Sequence, residues 1–383
     1  MIRHHVLSGA DQPERLDAAL SGRRIGLMTN PTGVNHRLRS TVDLLHAHFR
    51  LTALFAPEHG LRGDLQAGAA VKTVTDPETG IPVYSAYGET SHFTPEMLEA
   101  FDVLVFDIQD VGARFYTYLY SLSYAMESCA KAGKKMVVLD RVNPLGGLKR
   151  AGTILDPAFA SFVGNYELPT RYGLTIGEYA RYVRDYLKLD LDLTVVPLVG
   201  WQRWMLLDDT DLPWVLPSPN LPTLESALCY TGTCIFEGTN CSEGRGTTIP
   251  FQVVGAPYVD GSALEKRMAE IDTPGIHFRR VSFCPTFSKH ESLVCHGVQM
   301  HILDRELADP TAAGLMLCEA IRDLYPNQFE MIQWEGEREF AIDKLLGTDA
   351  FRTGQKSAEA LIQEAAPGQD AFGRETEKYH LYQ

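Results

Sequence analysis

Four short apolar runs in the first 140 residues constrain the fold more than any other feature. They are Arg24–Thr29 (RIGLMT), Leu51–Ala56 (LTALFA), Asp102–Asp107 (DVLVFD) and Lys135–Asp140 (KMVVLD). None alternates apolar with polar, so each reads as a strand buried on both faces. Helical patterns lie between them. Ser40–Phe49 opens on a capping serine and carries Val42, Leu45 and Phe49 at helical spacing. Pro95–Phe101 has proline in its first turn. Phe115–Gly133 places Phe115, Leu119, Leu122, Met126 and Cys129 on one face and ends on a glycine suited to a helix C-terminus. Ile81–Tyr84 reads as a further short strand. Strands and helices that alternate in this way predict an α/β fold, a Rossmann-like and mostly parallel sheet covered by helices on both faces.

Turn residues cluster at 150–160 (NPLGG, then LDP), which suggests a soft boundary. The expected organisation is a Rossmann-like domain over 1–155 and a smaller α+β C-terminal region over 156–383, with the sheet free to continue past 155. In the second part, Thr175–Leu189, Ser262–Ile271 and Thr311–Leu324 read as helices. Leu193–Leu198, a stretch near Val253, His277–Phe283 and His296–Leu303 read as strands. Trp201–Pro222 reads as an ordered loop, and Phe236–Pro250 as a Gly-rich polar loop facing the cleft.

Several function classes are disfavoured. A net charge of −14 (35 basic against 49 acidic residues) argues against nucleic acid or an anionic membrane as partner. No apolar run approaches the roughly 20 residues needed to span a bilayer. The N-terminal residues lack the apolar core of a signal peptide, so the sequence as it stands reads as cytoplasmic, and as periplasmic or secreted if it has been trimmed. Seven scattered cysteines fit a reducing compartment better than a disulfide framework. The first strand is followed by TNPTGVN, which lacks the glycines of a dinucleotide cradle. No P-loop or G-x-S-x-G is present. In KHESLVCH the two histidines are six apart, on different faces of a helix, so a zinc-protease helix is excluded. No cofactor or metal is expected, and the oligomeric state is not legible.

The positive signal is acidic. LTALFA runs into Glu58 and His59; DVLVFD ends at Asp107, followed by Gln109 and Asp110; KMVVLD ends at Asp140, followed by Arg141 and Asn143. Parallel strands would bring these groups to one rim, where open α/β sheets bind ligands. Arg62, Arg114 and Tyr116 fall beside it. Any one acid alone reads as a helix cap or the partner of an arginine. Three on one rim suggest chemistry. Glycoside hydrolysis needs a carboxyl kept protonated as acid, and Glu58, behind Phe55, Ala56 and Pro57, suits that role. Asp107, Asp110, Glu237 or Glu243 would supply a second charged group. Two alternatives stay open: a divalent-metal phosphoesterase on Asp107, Asp110 and Asp140, and a non-catalytic binder of sugar fragments. The Gly-rich loop adds Glu237, Asn240, Glu243 and Arg245 as ligand contacts.

The stretches GLMTNPTGV, FAPEHGLRGDLQAG, VFDIQDVGARFYTY, LDRVNPLGG, LTIGEYA, PSPNLPT and GTCIFEGTNCSEGRGTTIPF carry a resemblance. The chain resembles the NamZ-like exo-β-N-acetylmuramidases, glycoside hydrolase family 171. The resemblance implies release of N-acetylmuramic acid from the non-reducing end of peptidoglycan fragments. It also implies an active site between two domains, with the glutamate of the P-E-H-G motif, here Glu58, as the catalytic group. Asn220 of PSPNLPT joins the expected contacts, with His59, Gln109 and Asn143. A sugar bearing a lactyl carboxylate calls for an arginine fork, for which Arg62, Arg114 and Arg245 are the candidates.

Overall fold

The computed structural model describes residues 3–58, 60–62, 74–86 and 92–383. Its strands are β1 (Arg24–Thr29), β2 (Arg50–Ala56), β3 (Val74–Thr75), β4 (Pro82–Ser85), β5 (Val103–Asp107), β6 (Lys135–Leu139), β7 (Ala151–Ile154), β8 (Pro169–Arg171), β9 (Leu193–Val196), β10 (Val253–Ala256), β11 (Ile276–Phe283) and β12 (Cys295–Ile302). The helices are α1 (Pro13–Leu20), α2 (Thr41–His48), α3 (Pro95–Glu99), α4 (Tyr118–Lys131), α5 (Ile176–Tyr186), α6 (Leu224–Thr233), α7 (Gly261–Ala269), α8 (Pro310–Leu324), α9 (Ala341–Leu346) and α10 (Ala358–Thr376).

The main sheet has seven strands in the order β3-β4-β2-β1-β5-β6-β9. All its pairings are parallel except that of β3 with β4. The chain is therefore α/β with a mostly parallel sheet. β9 comes from beyond the 150–160 turns, so the sheet continues past residue 155. Each apolar run feeds two cores, because successive side chains of a strand point to opposite faces. In β5, Leu104 and Phe106 join the core shared with α4 and α5, while Val103 and Val105 join the core shared with α1 and α2. Burying each such side chain contributes about 1.5–3 kcal/mol. That double burial explains why these strands carry no alternation.

The chain leaves β1 toward β2 and β4 on one side of the sheet, and returns through β5 toward β6 and β9 on the other. The reversal falls between β1 and β5, where open α/β sheets form their ligand crevice. The C-terminal part adds a three-stranded antiparallel sheet, β10-β12-β11, packed with α7, and α8 packs against α6. The β7–β8 pair is antiparallel and carries the chain between the two parts. All seven cysteines are free, and six are buried.

Candidate active site

Glu58 follows β2 by two residues and is 8% exposed. The hydroxyl of Thr117 donates to its Oε2 at 2.5 Å. Thr117 stands where the N-cap of α4 belongs, yet it makes no side-chain capping bond. Helix α4 starts at Tyr118 rather than at Phe115, and Thr117 just ahead of it gives its hydroxyl to the carboxylate. The neighbouring Tyr118 hydroxyl reaches the Glu58 carbonyl at 3.4 Å and donates to the Pro217 carbonyl at 2.9 Å. Three separated motifs, Pro57-Glu58, Thr117-Tyr118 and the PSPNLPT stretch with buried Asn220, thus meet at one point. Tyr116 packs edge-on against Tyr118 at 4.9 Å, and Asn30, from the end of β1, approaches the Tyr118 hydroxyl. Burial first, and then the Glu58 charge, push the Tyr118 phenol well above its ordinary range. Tyr118 therefore stays neutral and serves as a donor.

The other rim acids differ in what holds them. Asp107 is fully buried in a bidentate ion pair with Arg141, Nε to Oδ1 at 2.6 Å and Nη2 to Oδ2 at 2.9 Å. The Thr41 hydroxyl also donates to it. Both its oxygens are committed, which is the arrangement of a strut joining β5 to the segment after β6. Asp140 accepts from the Gly177 amide at 2.7 Å, the Thr175 hydroxyl at 2.9 Å and the Tyr382 hydroxyl, at the N-terminus of α5. Asp110 accepts from the Tyr172 hydroxyl and from the Gly112 amide at 2.7 Å. Burial pushes both Asp110 and Asp140 up to about 7. Asp110 lies close enough to Tyr116 and Tyr118 for its charge to act on both rings. Asp107, Asp110 and Asp140 sit in separate cradles, and among the described residues no three His, Cys, Asp or Glu side chains converge on a metal-sized gap.

Several expected contacts face inward instead. Arg114 is 0% exposed and gives its guanidinium to the carbonyls of Thr153, Leu168 and Leu345 at 2.7–2.8 Å, so it cannot form the expected fork. Asn143 folds its own turn, accepting from Leu145 N and donating to the Leu174 carbonyl. Gln109 donates to the Asp110 and Val142 carbonyls. Asn240 ties its loop to Tyr258, Gln328 and Glu330. Arg62 is the exposed one, with 54% of its side chain accessible, paired with Asp76 at 2.7 Å and Glu78 at 3.2 Å. His59 lies outside the described residues.

In the Gly-rich loop, Glu237, Glu243 and Arg245 do come together. Arg245 pairs with Glu237 at 2.6 Å and Glu243 at 3.3 Å, and Lys289 closes the network on Glu243 at 2.7 Å. Arg245 also stands over the Phe251 ring at 5.0 Å. A run of rings links this network to the rim: Phe251 to Tyr230 at 4.7 Å, Tyr230 to Tyr116 at 6.1 Å, and Tyr116 to Tyr118. Sequence reasoning missed Thr117, Tyr118, Tyr230 and Lys289: the helix expected over Phe115–Gly133 took in Thr117 and Tyr118, and no local pattern marks Tyr230 or Lys289.

A buried glutamate held by a hydroxyl, one strand from the switch point of a parallel sheet and with aromatic rings alongside, is an arrangement that can serve acid–base chemistry. The rim belongs to an α/β enzyme of the glycoside-hydrolase kind. Comparison with known proteins fixes which. Residues 25–225 match the N-terminal domain of the exo-beta-N-acetylmuramidase NamZ family and residues 228–382 match its C-terminal domain, and the chain belongs to that family. It is 48% identical over 368 residues to the peptidoglycan beta-N-acetylmuramidase NamZ of Bacillus subtilis, covering 95% of this chain and 88% of that protein. Two crystal structures of DUF1343 family proteins from Bacteroides fragilis share the fold. One has a TM-score of 0.91 at 36% identity over 100% of both chains, the other 0.76 at 32% over 99% of both. Among the described residues, no helix is long and apolar enough to cross a membrane.

Proposed function

We propose that this chain is an exo-acting β-N-acetylmuramidase that releases N-acetylmuramic acid from the non-reducing end of peptidoglycan fragments, with Glu58 as its catalytic acid. The observation that carries the assignment of Glu58 is its seat: nine-tenths buried on the rim, with one oxygen fixed by Thr117 at 2.5 Å. Glu58 gives its proton to the glycosidic oxygen as the bond to the anomeric carbon breaks, and the bonding pair stays on the leaving sugar. Among the described residues the other acids have internal partners: Asp107 has Arg141, Asp140 has the start of α5, and Glu237 and Glu243 have Arg245. This supports the substrate's own 2-acetamido oxygen as nucleophile, the exception to the two-carboxylate scheme. Water then opens the cyclic intermediate, and Glu58 takes back a proton. Asp110, which is buried, is too enclosed to touch a sugar. Arg62 is the arginine assigned to the lactyl carboxylate; its exposure supports this, and the carboxylate has to compete with Asp76 and Glu78 for it.

One experiment tests the assignment in two arms. On a chromogenic β-N-acetylmuraminide, Glu58→Gln is expected to lower kcat by roughly 10²–10⁴-fold with an unchanged melting temperature. Near-normal turnover would overturn the role of Glu58. In the second arm, replacing the acetamido methyl hydrogens by fluorine weakens the nucleophilic oxygen, and kcat should fall with each fluorine. A flat series would remove the acetamido group from the reaction and point to a second carboxylate.

A further inference from the structure

Away from Glu58, a cavity of about 90 Å³ lies between the two parts of the chain, walled by Lys149, Arg171 and Trp204 on one side and by Ile302, Arg305 and Glu306 on the other. Four cations line it, and they are not equivalent. Arg203 is neutralised by Glu178 at 2.7 Å, and Arg305 by Asp208 at 2.6 Å. Arg171 is only 6% exposed, and its Nε is buried without a hydrogen-bond partner. The guanidinium donates to the Leu145 carbonyl, and among the described residues no carboxylate comes within ion-pair distance of it. Lys149 meets the carbonyls of Arg305 and Glu306 and has no carboxylate partner at that distance either. Asp309 and Glu306 act on Arg171 from beyond ion-pair distance, and both act on Lys149 together with Asp304; Glu306 itself is exposed to water. Burial holds the Arg171 guanidinium down at about 10, and burial followed by the Arg171 charge lowers Lys149 as well. Two cations thus share a small cavity and repel each other, an arrangement that an anion between them would relieve.

The mouth of the cavity is apolar. Trp204 is 45% exposed, although a core role would bury it, and Leu148 beside it is 59% exposed. A flat aromatic face next to a buried arginine suits a sugar ring that carries an acid group. Leu145 follows β6, whereas Glu58 follows β2, with β1 and β5 between. Strands β2 and β6 themselves lie three strand spacings, about 14 Å, apart in the sheet.

We propose that this cavity is a second binding site, for a carboxylate-bearing amino sugar, with Arg171 and Lys149 on the carboxylate and Trp204 under the ring. The choice of an acidic sugar rests on the function proposed above; the cationic cavity does not. The test uses the intact protein and its Trp204 fluorescence, taken as the difference between the parent and Trp204→Phe. N-acetylmuramic acid is expected to quench this difference saturably, and N-acetylglucosamine, which lacks the lactyl carboxylate, is not. Lys149→Met should weaken the quench roughly tenfold, while hydrolysis of the chromogenic substrate stays at the parental rate in both variants. Arg171→Met would repeat the result if it folds, and Lys149→Met carries the test if it does not. Absence of quench, or equal quench by the two sugars, overturns the site and leaves the hydrolase reading intact if turnover persists. Quench without any turnover overturns the hydrolase reading and leaves the site.

Discussion

Thr117 shows how a residue can hold a helix-cap position and do something else. Its hydroxyl goes to Glu58 rather than to the first turn of α4. Thr117→Val should lower kcat by about tenfold with little change in KM, and Thr117→Ser should restore most of it, since the donor returns without the methyl group. Equal losses in both variants would reduce Thr117 to a packing residue. Asp110 makes a prediction about pH. Its folded value is raised to about 7 from an unfolded 3.8. Between those values the native state holds a proton that the unfolded chain has lost, so stability falls as pH rises through that window. Asp110→Asn should remove this share, giving a melting temperature that drops less than the parent's between pH 4 and 7; parallel curves would refute it. Residue types alone did not separate such roles. Arg114 and Asn240 looked like ligand contacts because their acceptors and donors come from distant chain, as does one partner of Asn143, the Leu174 carbonyl. The carbonyls on Arg114 belong to Thr153, Leu168 and Leu345, and nothing near it in sequence announces them.

At the scale of elements, the parallel strands were legible because two-sided burial leaves an unbroken apolar run. Helices with one apolar face were legible too: α5 opens on the expected Thr175, which forms a capping box with Glu178. Elements without such a pattern stayed hidden. Helix α6 is buried on nearly every side and shows no stripe, and α10 carries Pro367 within its span. Short β7 and β8 pair with each other, with one added bridge from Arg171 to Ala113, so no long apolar run marks them. The strand ends were placed correctly on one rim, but their coupling was not foreseen. The Asp107–Arg141 ion pair joins β5 to the segment after β6, with both side chains buried. Arg141→Met leaves the aspartate charge without its partner and should cost about 3–5 kcal/mol in urea unfolding. A loss below 1 kcal/mol would mean that water reaches Asp107 and that the pair is not a strut.

In the whole molecule, the C-terminal residues return to the N-terminal sheet. Tyr382 donates to Asp140 and accepts from the Leu198 amide, Leu381 N donates to Glu178 at 2.8 Å, and the Gln383 carbonyl accepts from Arg203 N at 2.8 Å. The Tyr382 ring also packs edge-on against Trp201 at 5.2 Å. The tail therefore closes over the start of α5, using the acid that sequence reasoning assigned either to a metal rim or to a structural pair. No local pattern reveals this, since Asp140 and Tyr382 are 242 residues apart. The closure also bears on function, because Asp140 and Arg203 sit beside the loop after β6 that forms one wall of the cationic cavity. Removing residues 380–383 strips Asp140 and Glu178 of one donor each, and each buried acceptor left short costs about 1–3 kcal/mol. The shortened chain should melt several degrees lower and lose quench by N-acetylmuramic acid at Trp204 before it loses turnover at Glu58, because the tail props the β6 side of the rim and not the β2 side. Parallel loss of both signals on gentle heating would show instead that the sheet yields as one unit.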